Sequence, residues 1–574
     1  MDPARGAVRS GAAQDPIQAS SARFVFTSGE RPPTLLDGVR DDPPGIQGSS
    51  PTDVALALTA IEPLPRGDWL GDCQRAIESI HGHVHRRGTN LLAWRDTRRA
   101  GRLHYADGWS IGRLWLSSSR WALGITSKRL YFQGEGTELD ERPEHVVVSG
   151  RRPASPVAAE ATASHWELVR VLREGFGASA TPVPLEVVDA DLASCQEVQI
   201  GERSFAVPVA SLESLYRAHG FDMVPEGFTV SVCPLESVTV DQTNRFVQGI
   251  VQAVLARNAR VKVRVASVPA VQQRLGDLTS SDSGVAAGHC VLFVMPSQKA
   301  APGSDSLALF RALEASRVPF RRAYADDPVE FSIPNQLSSL LMAAGGTPHR
   351  SRTKADGEPV WSVAVDLSSG ADRARSVLAL TLVDPDGRLR GAWTAEQPRD
   401  ETARTETLST LLELCRGRLA ALDTTPRILV LRDGRLFENE NFRLFRGILR
   451  TDVTLVEYRK RGNPQIVQIA ETPNAIRAPL AATVLGTSAM FIITAPPRNE
   501  RTLASVVKVV CNPEWNGLGL GSGAIARLLA VSATAPALGP QRHTLPAAIY
   551  WADGIAGAND LDLRFRGIPV HRFT

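Results

Sequence analysis

Trp361-Ser362-Val363-Ala364-Val365-Asp366 and Arg427-Ile428-Leu429-Val430-Leu431-Arg432-Asp433-Gly434-Arg435 are two apolar, strand-like runs that each end on an aspartate. A short continuous apolar run is the pattern of a strand buried on both faces. Such a strand delivers the carboxylate at its tip into a site that the sheet itself shapes. A strand-end aspartate with no partner in apolar surroundings is costly, so the pair calls for a metal ion or a cation. Arg432 and Arg435 are the cationic alternatives to metal.

Outward from these runs the pattern is ordered. Ser362 to Leu367 reads as a strand and Ser376 to Val383 as a second. The turn Asp384-Pro385-Asp386-Gly387 leads into a third strand around Gly391 to Thr394. A helix follows over Thr402 to Ala421, then the strand Ile428 to Leu431. Three antiparallel strands, a helix and a further strand is the RNase H order. It makes the first and fourth strands neighbours, so Asp366 and Asp433 can meet. Two-metal phosphodiester cleavage needs several carboxylates around a pair of divalent ions about 3.5–4 Å apart. Hard cations such as Mg2+ or Mn2+ take oxygen ligands, which suits Asp and Glu. Asp553, in the late helical segment Leu545 to Ala556, is the candidate third acid. The loop holding Glu396, Asp400 and Glu401 is the source of a fourth.

Upstream, residues 221–350 alternate strand and helix. Phe228 to Cys233, Val261 to Val268 and Cys290 to Met295 read as strands. Asp241 to Arg257, Ser306 to Ser316 and Asn335 to Ala344 read as helices, the last stopped by Gly345-Gly346. Alternation of this kind implies a Rossmann-like α/β layer, whose ligands sit at strand ends and helix N-termini. Residues 23–220 are mixed α+β, with helices over Asp72 to Ile80 and Ser164 to Gly175. Strands are expected over Arg113 to Leu116 and Val146 to Val148. Residues 1–22 read as a flexible tail without an apolar core for secretion.

The bulk numbers agree with a soluble multidomain chain. At 574 residues, three or four domains are expected. The hydrophobic share is 43% and the charged share 22%, and no window approaches the ~18 apolar residues of a membrane span. Six scattered cysteines without a CxxC pair fit free thiols in a cytoplasm and argue against a zinc or disulfide framework. The net charge is only +3, but residues 427–461 hold nine Arg or Lys against five acids. Positive charge beside a metal site suits a polyanion.

These strings together resemble the Argonaute family. Val363 to Asp366, Leu431 to Arg435, Val456-Glu457-Tyr458-Arg459-Lys460-Arg461 and Leu545 to Asp553 resemble its PIWI domain (351–574). Asn335 to Gly346 resembles the helix linking a MID domain (221–350) to PIWI, and residues 23–220 show no evident PAZ domain. The resemblance is to a prokaryotic, short form. It implies a catalytic tetrad of Asp366, Glu401, Asp433 and Asp553, with Asp366, Asp433 and Asp553 as ligands of Mg2+ or Mn2+. Glu396 is the second choice for the mobile glutamate.

The MID match departs from the family at its anchor for the guide 5′ phosphate. Ala343 stands where the second lysine belongs. The first lysine maps near Arg311 and the glutamine near Arg321, with Arg322 adjacent. The expected pocket is Arg311, Arg321, Arg322 and Gln336, or one that takes a 5′-hydroxyl guide. Arg432, Arg435, Arg459, Lys460 and Arg461 are the expected contacts to nucleic-acid backbone.

The implied partners are a short guide DNA or RNA and a complementary target DNA or RNA. The implied function is guided cleavage in host defence against invading DNA. The alternative is a non-cleaving, guide-loaded sensor that acts through a partner effector protein. A third reading is an unguided RNase H-like nuclease or transposase. Three further motifs are discounted: the histidines His81, His83 and His85 at strand period, the glycine-rich Gly517 to Gly523, and Ser368-Ser369.

Overall fold

In this computed structural model residues 55–556 and 571–573 are described, apart from internal stretches of which 133–157, 280–288, 297–303 and 537–544 are the longest. Residue 401 and the Val146 to Val148 run lie outside the described residues. No described helix is long and apolar enough to cross a membrane.

Four parallel strands form the Rossmann-like layer, in the order Lys262–Val265, Thr229–Pro234, His289–Met295, Phe320–Tyr324. Every residue of His289–Met295 is buried. That is why its sequence does not alternate: helices cover both of its faces. Helices Val240–Leu255 and Val329–Ala343 pack one face around Phe246, Ile250 and Leu337. Helices Val268–Thr279 and Ser304–Ala315 pack the other around Val271, Leu309 and Phe310. A capping box in which Thr239 and Gln242 satisfy each other's backbone N–H groups opens Val240–Leu255. Val329–Ala343 starts earlier than the expected Asn335, running through Pro334. Pro334 is the sixth residue of this helix, past the first turn, so the helix runs on without the bond that its N–H would have made to the carbonyl four residues back.

The second layer is a long mixed sheet. Val360–Ser369 lies antiparallel to Arg375–Val383, which pairs with Leu389–Pro398. On its other side Val360–Ser369 runs parallel to Arg427–Asp433, with Val365 opposite Arg432. Val453–Arg459 continues the sheet in parallel, followed by Val506–Val510, Ala489–Ile493 and Leu480–Thr483, all antiparallel. Helix Thr405–Ala421 covers one face, burying Leu408, Leu411 and Leu412 against Val363, Val365 and Val430. Helices Ser522–Ser532 and Ala547–Ala556 cover the other, against Ala364, Leu429 and Leu431. This is the RNase H-like unit, with its first and fourth strands adjacent as the element order predicts.

The N-terminal part is joined to that sheet. Strand Thr181–Asp189 pairs with Leu480–Thr483 and with Leu56–Glu62. Leu56–Glu62 in turn pairs with Trp121–Phe132, half of a long hairpin with Leu103–Trp115. Helices Trp69–Glu78 and Ala158–Phe176 pack together over this part. Arg113 to Leu116 is therefore the end of a much longer strand than its local sequence shows.

Candidate metal centre

Side chains alternate across a strand, so residues two apart share a face. Asp366 shares a face with Ala364, and Asp433 with Leu431 and Leu429. Both faces turn toward helix Ala547–Ala556. That helix is held down by Ala548, Ile549 and Ala552, and it carries Asp553 directly after them. Ligand oxygens of Asp366, Asp433 and Asp553 all lie within 4.8 Å of one another. Among the described residues it is the sole cluster of this kind.

The surroundings of the three acids differ. Asp366 is 7% exposed and accepts a hydrogen bond from the Leu367 N–H at 2.8 Å. Burial first, then the Asp433 charge, push its carboxyl up to about 7. Asp433 is raised as well, again chiefly by burial, with Lys460 opposing. Lys460 Nζ donates to Asp433 Oδ2 at 2.5 Å and also to Asp553 Oδ1. Burial alone would lower this ammonium, but the charges of Asp433 and Asp366 outweigh it and its pKa is raised.

Gly434 makes the turn that ends Asp433's strand. Its φ is +97° and its N–H donates to the Tyr458 carbonyl. Only glycine holds that conformation cheaply.

Several expected site residues lie elsewhere. Arg432 does not face nucleic acid. Being one residue from Asp433 it points to the opposite face, where it is 3% exposed and bound to Glu440 at 2.8 Å. Glu440 also accepts from the Ala403 N–H at 3.0 Å, and Asn439 Nδ2 donates to the Ala403 carbonyl. Neither Glu440 nor this tie is legible in the sequence; an acid eight residues past an arginine near a strand end is too weak a signal. Lys460 turns into the acid cluster rather than outward. Period two would have shown it, since Val456, Tyr458 and Lys460 share a face. Arg459 is paired with Glu457, while Arg435 and Arg461 are exposed at the adjoining strand ends. Glu401 lies outside the described residues, and Glu396 is near the end of strand Leu389–Pro398, paired with Arg375 at 2.6 Å.

The expected 5′-end pocket is split. Arg321 and Arg322 are neighbours on strand Phe320–Tyr324 and leave it on opposite faces. Arg321 shares the face of Ala323, which packs with helix Val329–Ala343. Arg322 shares the face of Phe320, which packs with helix Ser304–Ala315. Gln336 Nε2 donates to the Arg322 carbonyl at 2.9 Å, and its Oε1 is buried without a partner among the described residues. Arg311 lies on Ser304–Ala315, with its side chain outside the described residues.

The discounted motifs are also placed. His81 is in a turn at φ +56°, outside strand His83–Arg87, so the three imidazoles share no face. Gly517 to Gly523 leads into helix Ser522–Ser532, and its Gly517 N–H is bonded to the Val453 carbonyl.

A parallel layer beside an RNase H-like sheet, with three acids under the last helix, can be compared with known folds. No protein-family model matches the sequence, and no curated protein matches it. Among solved structures, the chain is similar to Kluyveromyces polysporus Argonaute, crystallised with a guide RNA. The TM-score is 0.60 at 10% identity, over 84% of this chain and 77% of that one. It is similar to Drosophila Piwi with a TM-score of 0.56 at 12% identity, over 85% of this chain and 82% of that one. The chain has the Argonaute–Piwi fold. The parallel layer corresponds to its MID domain and the RNase H-like sheet to its PIWI domain.

Proposed function

We propose that this protein binds a short guide DNA or RNA, pairs it with a complementary DNA or RNA target, and cuts that target at the Asp366–Asp433–Asp553 centre. The observation that carries the reading is the convergence of three carboxylates on one sheet face. An all-oxygen, mostly buried donor set with a raised Asp366 suits Mg2+ or Mn2+. Asp366, Asp433 and Asp553 would hold the metal, which supplies water activation and stabilisation of the leaving oxygen when bound. The chain's own residues do the positioning. Leu367 N–H orients Asp366, Lys460 holds Asp433 against Asp553, and Gly434 fixes the strand end. Exposed Arg435 and Arg461 offer charge to phosphates, which positions a strand without reading its sequence. Free thiols at the five described cysteines support a reducing, cytoplasmic setting. Host defence against invading DNA is the role that the resemblance attaches to such cutting.

The non-cleaving alternative has its own support. Lys460 already bridges two of the three acids, so part of the charge that a metal would offset is met by the chain itself. A synthetic guide with a matched target in Mn2+ separates the two readings. A single cut within the paired region, lost in Asp433→Ala, supports cleavage. Guide-dependent target binding with no product supports the sensor that works through a partner effector.

A further inference from the structure

We infer that Lys460 is a tethered counter-ion that holds the metal-free centre together and must be displaced when a divalent ion bridges Asp433 and Asp553. The inference rests on reading those acids as metal ligands. Its basis is the geometry of one nitrogen. Lys460 Nζ is hydrogen-bonded to Asp433 Oδ2 and to Asp553 Oδ1, which come from different elements: a strand end and the last helix. An ammonium has three donors and no acceptor, so one nitrogen can serve both carboxylates at once. Its side chain is 15% exposed, so it is not a freely solvated surface lysine. Asp366, by contrast, receives only the Leu367 N–H among the described residues. The centre is therefore bridged at Asp433 and Asp553 and open at Asp366. A divalent ion seated between Asp433 and Asp553 would lie against the ammonium that already bridges them, and like charges that close repel. Lys460 thus preassembles the acids and sets how tightly they take metal.

The test uses the full-length, guide-free protein and Mn2+ alone, followed by loss of the free-ion paramagnetic resonance signal. Lys460→Met is expected to bind Mn2+ about tenfold more tightly or more, since the competing ammonium and its two charge-assisted contacts are gone. In chelator the same variant should melt below the unaltered protein, and Mn2+ should restore it. A second readout needs no variant. Acylation of Lys460, followed by mass spectrometry, should rise several-fold when Mn2+ saturates the unaltered protein. If the unaltered protein binds Mn2+, but Lys460→Met binds it no more tightly and Lys460 labelling does not change, Lys460 is not a displaced counter-ion and the metal reading survives. If neither protein binds Mn2+, both readings fall. If Lys460→Met does not fold, the labelling alone decides, in the same two directions.

Discussion

Arg432 and Asp433 are consecutive in the chain and point to opposite faces of one strand. Arg432 goes into a buried ion pair with Glu440, and Asp433 into the acid cluster with Lys460. Support and chemistry are thus divided by the pleat, and they should be separable by mutation. Asp433→Ala should lower guided cleavage by about a thousandfold or more, the scale of losing a metal ligand, and should shift the melting point less than Glu440→Leu does, because Lys460 keeps Asp553 as a partner. Single-turnover cleavage beside a thermal melt checks both halves.

The Glu440 side should behave in the opposite way. Its carboxylate is fully buried and serves Arg432 and the Ala403 N–H. Removing one partner of a buried ion pair typically costs about 3–5 kcal/mol, because the other charge is stranded. Glu440→Leu should unfold at markedly lower denaturant. Adding Arg432→Met should recover much of the loss, since no buried charge then remains. A double-mutant cycle in urea measures the recovery; simple additivity would show that the two side chains are not coupled.

Asp366 makes the centre's stability depend on pH. In the folded protein its carboxyl is pushed up to about 7, from an ordinary 3.8, by burial and then by Asp433. The folded state therefore holds a proton that the unfolded chain has released. This contribution to stability is full below about 3.8 and is lost as pH rises through about 7. In chelator, Asp366→Asn, which cannot ionise, should match the unaltered protein near the acid end of that window and exceed it above the window. Mn2+ should close the gap by favouring the ionised form. Melting points of both proteins across the window, with and without Mn2+, test this.

Gly434 predicts a backbone effect. At φ +97° an alanine is strained although no atom lies within 4 Å of the added carbon. Gly434→Ala should cost roughly 1–2 kcal/mol, the penalty of left-handed backbone for an L-residue. It should also reduce cleavage more than that loss of stability accounts for, because the same turn sets Asp433. Cleavage measured well below the melting point separates the two effects.

The fold was legible because its strands are apolar and locally bounded. Cys290 to Met295 and Ile428 to Leu431 announce buried strands, and the order of elements around Asp366 makes the adjacent strand pair follow. Asp553 could be found because it sits in an apolar helix with few other acids. What stayed hidden was orientation. The Arg-rich 427–461 segment looks like one basic face, yet Arg432 is buried, Arg459 is paired with Glu457, and Lys460 is turned inward. Composition counts charges without saying which side of the pleat carries them. Strand lengths in the N-terminal part were hidden for another reason: Leu103–Trp115 owes its pairing to a distant partner, Trp121–Phe132, rather than to local pattern.

The same pleat argument bears on guide binding. The expected 5′-end pocket counted Arg321 and Arg322 together, but the strand sends them to different faces. Only Arg321 is on the face of the helix that carries Gln336, whose Oε1 is buried and unpartnered. A 5′ phosphate held beside that helix can therefore draw on Arg321 and not on Arg322. Arg321→Ala should weaken binding of a 5′-phosphorylated guide by about tenfold or more, the scale of one charge-assisted contact. A 5′-hydroxyl guide should be almost unaffected. Arg322→Ala should leave both guides close to the unaltered protein. Fluorescence anisotropy with the two guide ends compares the four cases. If the two arginine variants lose affinity equally, the phosphate reaches around the strand edge and the face argument fails.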